Sequence, residues 1–200
     1  MPQKGGKQGN PTGRRSERTK AAILAAAREH FAASGYERAT IRAIAAAAGI
    51  DPAMVMRYFG NKERLFAAAA EFDLRLPDLT AVPRGTVGSV LVGHFLDRWE
   101  SDASLQALLR AAVSHKVAVA RLRAILATQV MPAVAPLCPD RATAATRVGL
   151  VATQMLGMAL CRYVLRLPPV VALDRAAVIR WLAPTIQRYL TAPAIAVLRA

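Results

Sequence analysis

Two arginines, Arg42 and Arg57, stand close together in one short stretch of the chain, Thr40 to Lys62, with Ala53 and Met56 between them. A guanidinium presents a planar fork of donors that matches a phosphate or the two acceptors on a purine edge, and arginine is the commonest reader of bases. Alanine and methionine lack donors, but their apolar surfaces suit the methyl group of thymine. This set of side chains has the chemistry of nucleic-acid recognition. The means of bond breaking are missing. There is no HExxH pattern, no glycine-rich phosphate loop, and no inward-facing carboxylate pair spaced three or four residues apart on a helix. His30, His94 and His115 are scattered, and neither Cys138 nor Cys161 has a histidine close by in the sequence. We therefore expect no enzyme activity, no metal site and no cofactor. His30 reads as a boundary or hydrogen-bonding histidine in preference to a ligand.

The elements that must position these residues are two short helices. Thr40 is a capping residue for a helix whose inward positions are Ile41, Ile44, Ala45 and Ala48, the repeat of an amphipathic helix. Gly49 ends it. Asp51 then caps a second helix with Pro52 at its first position, and Ile50 and Val55 occupy the two places of a hydrophobic staple. A helix from Pro52 to Arg57 is only about two turns long, so it needs support from behind. In helix–turn–helix geometry such a second helix enters the major groove of DNA with its first residues near the base edges. With Val55 and Phe59 inward, Asp51, Pro52, Ala53, Met56 and Arg57 remain to face a groove. The first helix is expected from near Ser16 to Ala33, with Ile23, Ala27 and Phe31 on one face and Gly35 as its stop. Tyr36 should pack across the head and close a core with Ile41, Ile44, Ile50, Val55 and Phe59.

From roughly Arg18 to Phe66 this pattern resembles the amino-terminal DNA-binding domain of the TetR family of repressors. The resemblance rests on the Ile23 to Phe31 face, Gly35-Tyr36, Thr40-Ile41, Ala45, Ala48-Gly49-Ile50, Tyr58-Phe59, Asn61-Lys62, Leu65 and Phe66. It implies phosphate contacts at Met56, Tyr58 and Lys62. Met56 departs from the family pattern because a thioether offers no donor, so the clamp on the DNA backbone should lean on Tyr58, Lys62 and Thr40. The resemblance also implies a fourth helix that links the head to a larger body and tilts when ligand binds. Here that helix is expected from Asn61, its cap, to about Leu76.

Composition fits such a chain. It has 200 residues, 54% of them hydrophobic, and 27 basic against 13 acidic side chains, for a formal charge of +14. That charge favours an anionic partner, although a genome rich in G and C would also enrich arginine. Two cysteines are too few for a disulfide scaffold and suit a reducing interior. The amino terminus lacks an apolar signal region, and no window holds about 18 uncharged apolar residues, so we expect a cytoplasmic protein without a membrane partner. Abundant alanine without alternating runs favours an all-α fold: a three-helix head containing the helix–turn–helix, plus a larger helical body for ligand binding and dimerisation.

We divide the chain into a disordered basic arm (1–16), a DNA-binding domain with its connecting helix (17–76) and an effector-binding and dimerisation domain (77–200). The arm, with Lys4, Lys7, Arg14 and Arg15, could lie on DNA or serve only as a solvated tail. Pro77 to Pro83 reads as a linker. Body helices are expected over about Arg84 to Glu100, after a cap at Ser101 or Asp102 with Leu105, Leu108, Leu109, Ala112 and Val113 inward, and over about Val117 to Val130 until Pro132 and Pro136 break the run. Asp140 opens the longest helix, to near Leu167, and Asp174 caps a last helix to about Leu190, with a kink at Pro184.

The first of these two helices is apolar on more than one side and the last adds to it, which suggests a seam between two copies that includes Val148, Val151, Met155, Leu160, Tyr163, Val178, Trp181, Leu182 and Tyr189. Gln154-Met155-Leu156-Gly157, Arg162-Tyr163-Val164 and Leu167-Pro168-Pro169 resemble the carboxy-terminal domain of an actinobacterial branch of the same family. By resemblance, a small effector would sit in the body. Phe95, Trp99, Leu108, Leu122, Met131, Met155 and Met158 are candidates to line its site, although such residues at helical spacing also make plain core. The lining should hold few charges, which points to a neutral or weakly polar, mostly apolar effector.

The function expected is a homodimeric transcriptional repressor that leaves a palindromic operator on double-stranded DNA when its effector binds. The alternative is a helical dimer that binds ligand or protein and touches DNA without specificity. Met56 and the scarcity of base-reading donors favour that alternative.

Overall fold

A computed structural model describes residues 11–112 and 115–193 of the chain, and among these every regular element is helical. Lys4 and Lys7 of the basic arm and Val113 lie outside the described residues. The chain divides into two compact units, residues 1–70 and 71–200.

In the first unit α1 (Pro11–Arg38) begins ahead of Ser16, so Arg14 and Arg15 are helical rather than part of an unstructured arm. Gly35, at φ 74, breaks its helical geometry where a stop was expected, and a last turn follows before α2 (Ile41–Ala48). Gly49 takes the left-handed conformation at φ 65 and donates back to Ala45 and Ala46, which lets the chain reverse at once into α3 (Pro52–Phe59). α4 (Lys62–Ala69) follows, with Asn61 Oδ1 accepting from the Arg64 N–H at 2.8 Å. Ile23, Ala27, Phe31, Ile44, Ala45, Val55, Leu65 and Phe66 are buried together, while Ile41, Ile50 and Phe59 are half-buried at the edge of this core. Phe31, Tyr36 and Phe66 form an aromatic cluster with ring centroids 5.0 to 6.0 Å apart. The Arg28 Nε–H joins α1 to the end of α4 through the Ala69 carbonyl at 3.1 Å.

α4 stops at Ala69 instead of running to Leu76. The reason lies in the groups that compete for the next backbone atoms. Asp73 Oδ1 accepts from the Arg75 N–H at 2.9 Å in an Asx turn, and Arg75 sits at φ 49, which no helix accommodates. Side chains of the second unit satisfy the rest: Gln129 accepts from the Leu74 N–H at 2.7 Å and donates to the Phe72 carbonyl at 2.6 Å.

The second unit holds α5 (Val87–Ser101), α6 (Ala103–Ala112), α7 (Lys116–Ile125), α8 (Met131–Val134), α9 (Arg141–Ala159), α10 (Pro168–Val171) and α11 (Arg175–Thr191). Asp102 caps α6 through the Ser104 N–H. Pro132 does not end the run from α7. A π turn over Leu126–Val130 takes up the wider ring, with the Met131 N–H bonded to Leu126, and helical turns continue to Leu137. α9 likewise continues as a π turn to Val164. The run that Asp140 opens thus spans Arg141–Val164, 24 residues, and ends just short of the expected Leu167. Asp140 and Asp174 cap α9 and α11 as expected.

The core of this unit gathers Leu79, Val87, Leu91, Val92, Leu96, Val134, Val148, Val151, Met155, Val178, Leu182, Ile186 and Leu190. α5 lies against α11 so closely at Gly88 that a β-carbon there would stand 2.6 Å from the Ala183 carbonyl oxygen. Buried Arg147 ties α9 to the end of α11 through the Tyr189 carbonyl at 2.7 Å. Lys116–Leu137 and Arg141–Val164 are, by length and composition alone, long and apolar enough to cross a membrane. Here Ile125, Val134, Val148, Val151 and Met155 from these runs turn their apolar surface into the core.

Candidate nucleic-acid interface and buried cavity

Asp51 starts α3, its Oδ1 accepting from the Ala53 N–H at 2.7 Å, a cap that contributes about 1 kcal/mol. Thr40 does the same for α2 through the Ala43 N–H at 3.1 Å. Val55 is completely buried and anchors α3 from behind, and the opposite face is bare: Pro52, Ala53, Met56 and Arg57 are exposed, Met56 at 43%. Arg42 on α2 and Thr40 are exposed as well. Tyr58 is half-buried, with the Arg57 guanidinium 5.8 Å and the Lys20 ammonium 5.9 Å from its ring centre. Lys20, which the sequence groups with the basic run near the amino terminus, thereby joins the surroundings of Tyr58.

Lys62 behaves differently from a free phosphate-seeking lysine. Its ammonium donates to the Glu37 carbonyl at 3.0 Å and sits 4.6 Å over the Tyr36 ring. Two of its three donors remain for another acceptor. Burial, followed by Glu63 and Glu37, raises the Tyr36 hydroxyl above the usual tyrosine range, so this ring stays neutral beneath the lysine. The arrangement presents one strong donor, Arg57, among apolar side chains, with cations and hydroxyls around it. It offers no nucleophile and base pair, and among the described residues no cluster of three or more potential ligands is placed to hold a metal.

The second unit holds a partly open cavity of about 120 Å³. Phe95, Trp99, Leu122 and Met155 line it as expected, beside Leu74, Leu76, Leu91, Leu105 and Leu126. Leu108, Met131 and Met158 do not. Leu108 is wholly buried elsewhere, and the two methionines pack half-buried against the core. In keeping with the expectation of few charges, Arg98 is the one charged side chain in the lining, and His94 is its other polar member. His94 Nε2 donates to the Leu74 carbonyl at 2.7 Å, and Arg98 Nη2 donates to the Asp73 carbonyl at 3.1 Å. Sequence spacing pointed to neither residue, since their partners lie in the irregular segment after α4.

The expected seam residues also divide. Val148, Val151, Met155, Val178 and Leu182 are already buried in the core of the chain itself. Their periodicity marked an internal core. Leu160, Tyr163 and Tyr189 are half-buried. Tyr163 stacks on Trp99 at 6.0 Å and donates to Glu100 at 3.2 Å. Trp181 is 72% exposed and shares the outer surface with Leu150, Leu165, Leu167 and Val171.

A capped, tightly turned pair of helices with one face bare and basic is the architecture of a helix–turn–helix DNA-binding regulator. Residues 23–69 match the model described as bacterial regulatory proteins, tetR family, and residues 85–190 match the tetracyclin repressor-like C-terminal domain. The chain belongs to the TetR family, whose members are cytoplasmic transcriptional regulators without catalytic activity.

Among curated relatives it is similar to the HTH-type transcriptional repressor AcnR of Corynebacterium efficiens, 40% identical over 62 residues covering 31% of this chain and 33% of the relative. The AcnR of Corynebacterium glutamicum is 43% identical over 63 residues, 32% of this chain and 31% of that protein. These matches span only about a third of either relative. A TetR-family regulator from Streptomyces coelicolor A3 is similar over 93% of this chain and 99% of its own, with 29% identity and a TM-score of 0.55. NalD of Pseudomonas aeruginosa, the secondary repressor of the MexAB-OprM multidrug efflux pump, shares the fold at a TM-score of 0.66. Its identity is 21%, with coverage of 90% of this chain and 100% of its own.

Proposed function

We propose that the chain is a ligand-responsive repressor that binds a palindromic operator as a homodimer and releases it when a small molecule enters the body cavity. The observation that carries this reading is the bare face of α3, where Pro52, Ala53, Met56 and Arg57 stand exposed behind a fully buried Val55. A large thioether held in water is unfavourable, and a thymine methyl in the groove would cover it. Arg57 is assigned to a base edge. Thr40, Arg42, Tyr58 and Lys62 are assigned to phosphates, with Arg42 also within the chemistry of base reading. One short helix reads few base pairs, so two copies about 34–36 Å apart are required for a specific site. The exposed Trp181, Leu150 and Leu165 supply apolar surface for the second copy.

Regulation follows from where the cavity lies. His94 and Arg98 line it and also hold the carbonyls of Leu74 and Asp73, in the segment that directly follows α4. An occupant that disturbs those bonds alters the tether of the head, and a coupling of about 1–3 kcal/mol between the sites is enough to shift operator affinity several-fold or more.

The test is selection of bound duplexes from a random pool. The wild-type chain should recover one palindrome, held at least about 10³-fold tighter than random duplex. Arg57→Ala should relax the choice at one position of each half-site. Recovery of no preferred sequence, with binding that only tracks salt, would support instead a helical dimer with non-specific DNA affinity. The engagement of Lys62 with Glu37 favours that second reading.

A further inference from the structure

We propose that the body cavity takes a small, single-ring or short-chain apolar molecule that ends in one carboxylate, with the carboxylate seated on Arg98. This rests on the reading of the cavity as the effector site and names the effector's class.

Size comes first. A cavity of about 120 Å³ is comparable to those that admit one benzene-sized ring. The rings of Phe95 and Trp99, 5.5 Å apart, and the leucines around them form a wall suited to an apolar body.

Polarity is confined to one place. Among the described residues, Arg98 Nε is a buried side-chain nitrogen with no hydrogen-bond partner. A charged donor left unmade inside a protein is costly, so such a group marks a missing acceptor. The rest of the fork is only partly served: Nη2 reaches the Asp73 carbonyl at 3.1 Å and lies 3.8 Å from Asp102 Oδ2, a long ion pair. His94 has its Nε2 proton committed to Leu74. A carboxylate is the acceptor that best fits, because its two oxygens can engage Nε and a terminal nitrogen of the same fork together. An alcohol or ketone supplies one oxygen and no charge. Seating the carboxylate there would draw the fork away from Asp73, which links recognition of this chemistry to the segment after α4.

The experiment uses the full chain with Trp181→Phe, which leaves Trp99 as the single tryptophan, in the cavity wall. Its emission is followed while benzoate and, separately, benzyl alcohol are added. The expected result is saturable change with both and benzoate held about tenfold tighter or more, as a charge-assisted bond implies. Arg98→Gln should bring the two affinities together while benzyl alcohol still binds. Where that variant fails to fold by circular dichroism, Arg98→Lys, which keeps the charge and loses the fork, should reduce the ratio. Equal affinities in the parent chain, or a ratio unchanged by a folded Arg98 variant, overturn the carboxylate assignment and leave an apolar effector site standing. Binding of neither compound overturns the assignment and the cavity's role as effector site together. None of these outcomes touches the DNA-reading proposal, which is decided on duplexes.

Discussion

The Lys62 ammonium caps the Glu37 carbonyl at 3.0 Å while lying over the Tyr36 ring, so a residue that we propose to grip DNA also fastens the end of α1 to the start of α4. Lys62→Ala is therefore expected to act twice. Affinity should fall alike for all duplex sequences, and the slope of log affinity against log salt should shrink by about 0.9, the share of one phosphate. The melting temperature of the free protein should fall as well. Titration at several salt concentrations, with melting of the free protein alongside, separates the two effects. A loss confined to one base position would contradict the assignment.

Gly88 gives a second expectation. Its N–H donates to Gln187 Oε1 at 2.8 Å, and the same amide donates to the Arg84 carbonyl at 2.7 Å, locking α5 onto α11. A methyl group at Gly88 would strike the Ala183 backbone, so Gly88→Ala should destabilise by about 1–3 kcal/mol. Gly149→Ala meets nothing within 4 Å and should instead stabilise α9 by roughly 0.5–1 kcal/mol through helix propensity. Urea unfolding of both variants checks the contrast in sign.

Tyr163 makes stability depend on alkaline pH. Burial, and after it the neighbouring Glu100, pushes its hydroxyl up to about 12 from an ordinary 10.0. Below 10 the group is protonated in both the folded and unfolded chain and contributes no slope. Between 10 and 12 the unfolded chain loses the proton first, so stability falls as pH rises and levels off above the folded value. Tyr163→Phe should flatten that part of the profile. Urea midpoints measured from pH 9 to 12 would show it, and an identical slope in the variant would remove Tyr163 as the cause.

Trp181 and Val178, three residues apart on α11, should separate assembly from folding. Trp181→Glu places charge on an exposed position and is expected to turn dimers into monomers with helicity intact, as seen by sedimentation. Val178→Ala hollows the protomer's own core and should cost about 1–3 kcal/mol of stability without a comparable effect on assembly. A Trp181→Glu chain that still sediments as a dimer would place the seam elsewhere.

The head was largely legible because its signals are local. Thr40, Asp51 and Asn61 each cap within three residues, and Gly49 needs only its own φ to turn the chain. The body was legible as helices, but its faces were not assigned correctly. An apolar stripe states that Val148, Val151 and Met155 must be covered, not whether the cover is another helix of the same chain or a second copy. The end of α4 was beyond sequence reasoning for a related reason. What stops the helix is partly Gln129, 57 residues downstream of Phe72, and no window along the chain contains that bond. The polar part of the cavity was missed likewise, since His94 and Arg98 acquire their meaning only from carbonyls 20 and 25 residues away.

The irregular run from Phe72 to Leu74 changes what kind of linkage joins the two parts of the chain. A continuous helix is a stiff rod, and it passes on rotation and tilt in proportion to the push it receives. A short irregular strap, moored by Gln129, His94 and Arg98, bears load only while its moorings hold. Signals along it would come in steps, one lost mooring at a time, and the sharpness of the response would depend on how many must give way before the strap runs slack.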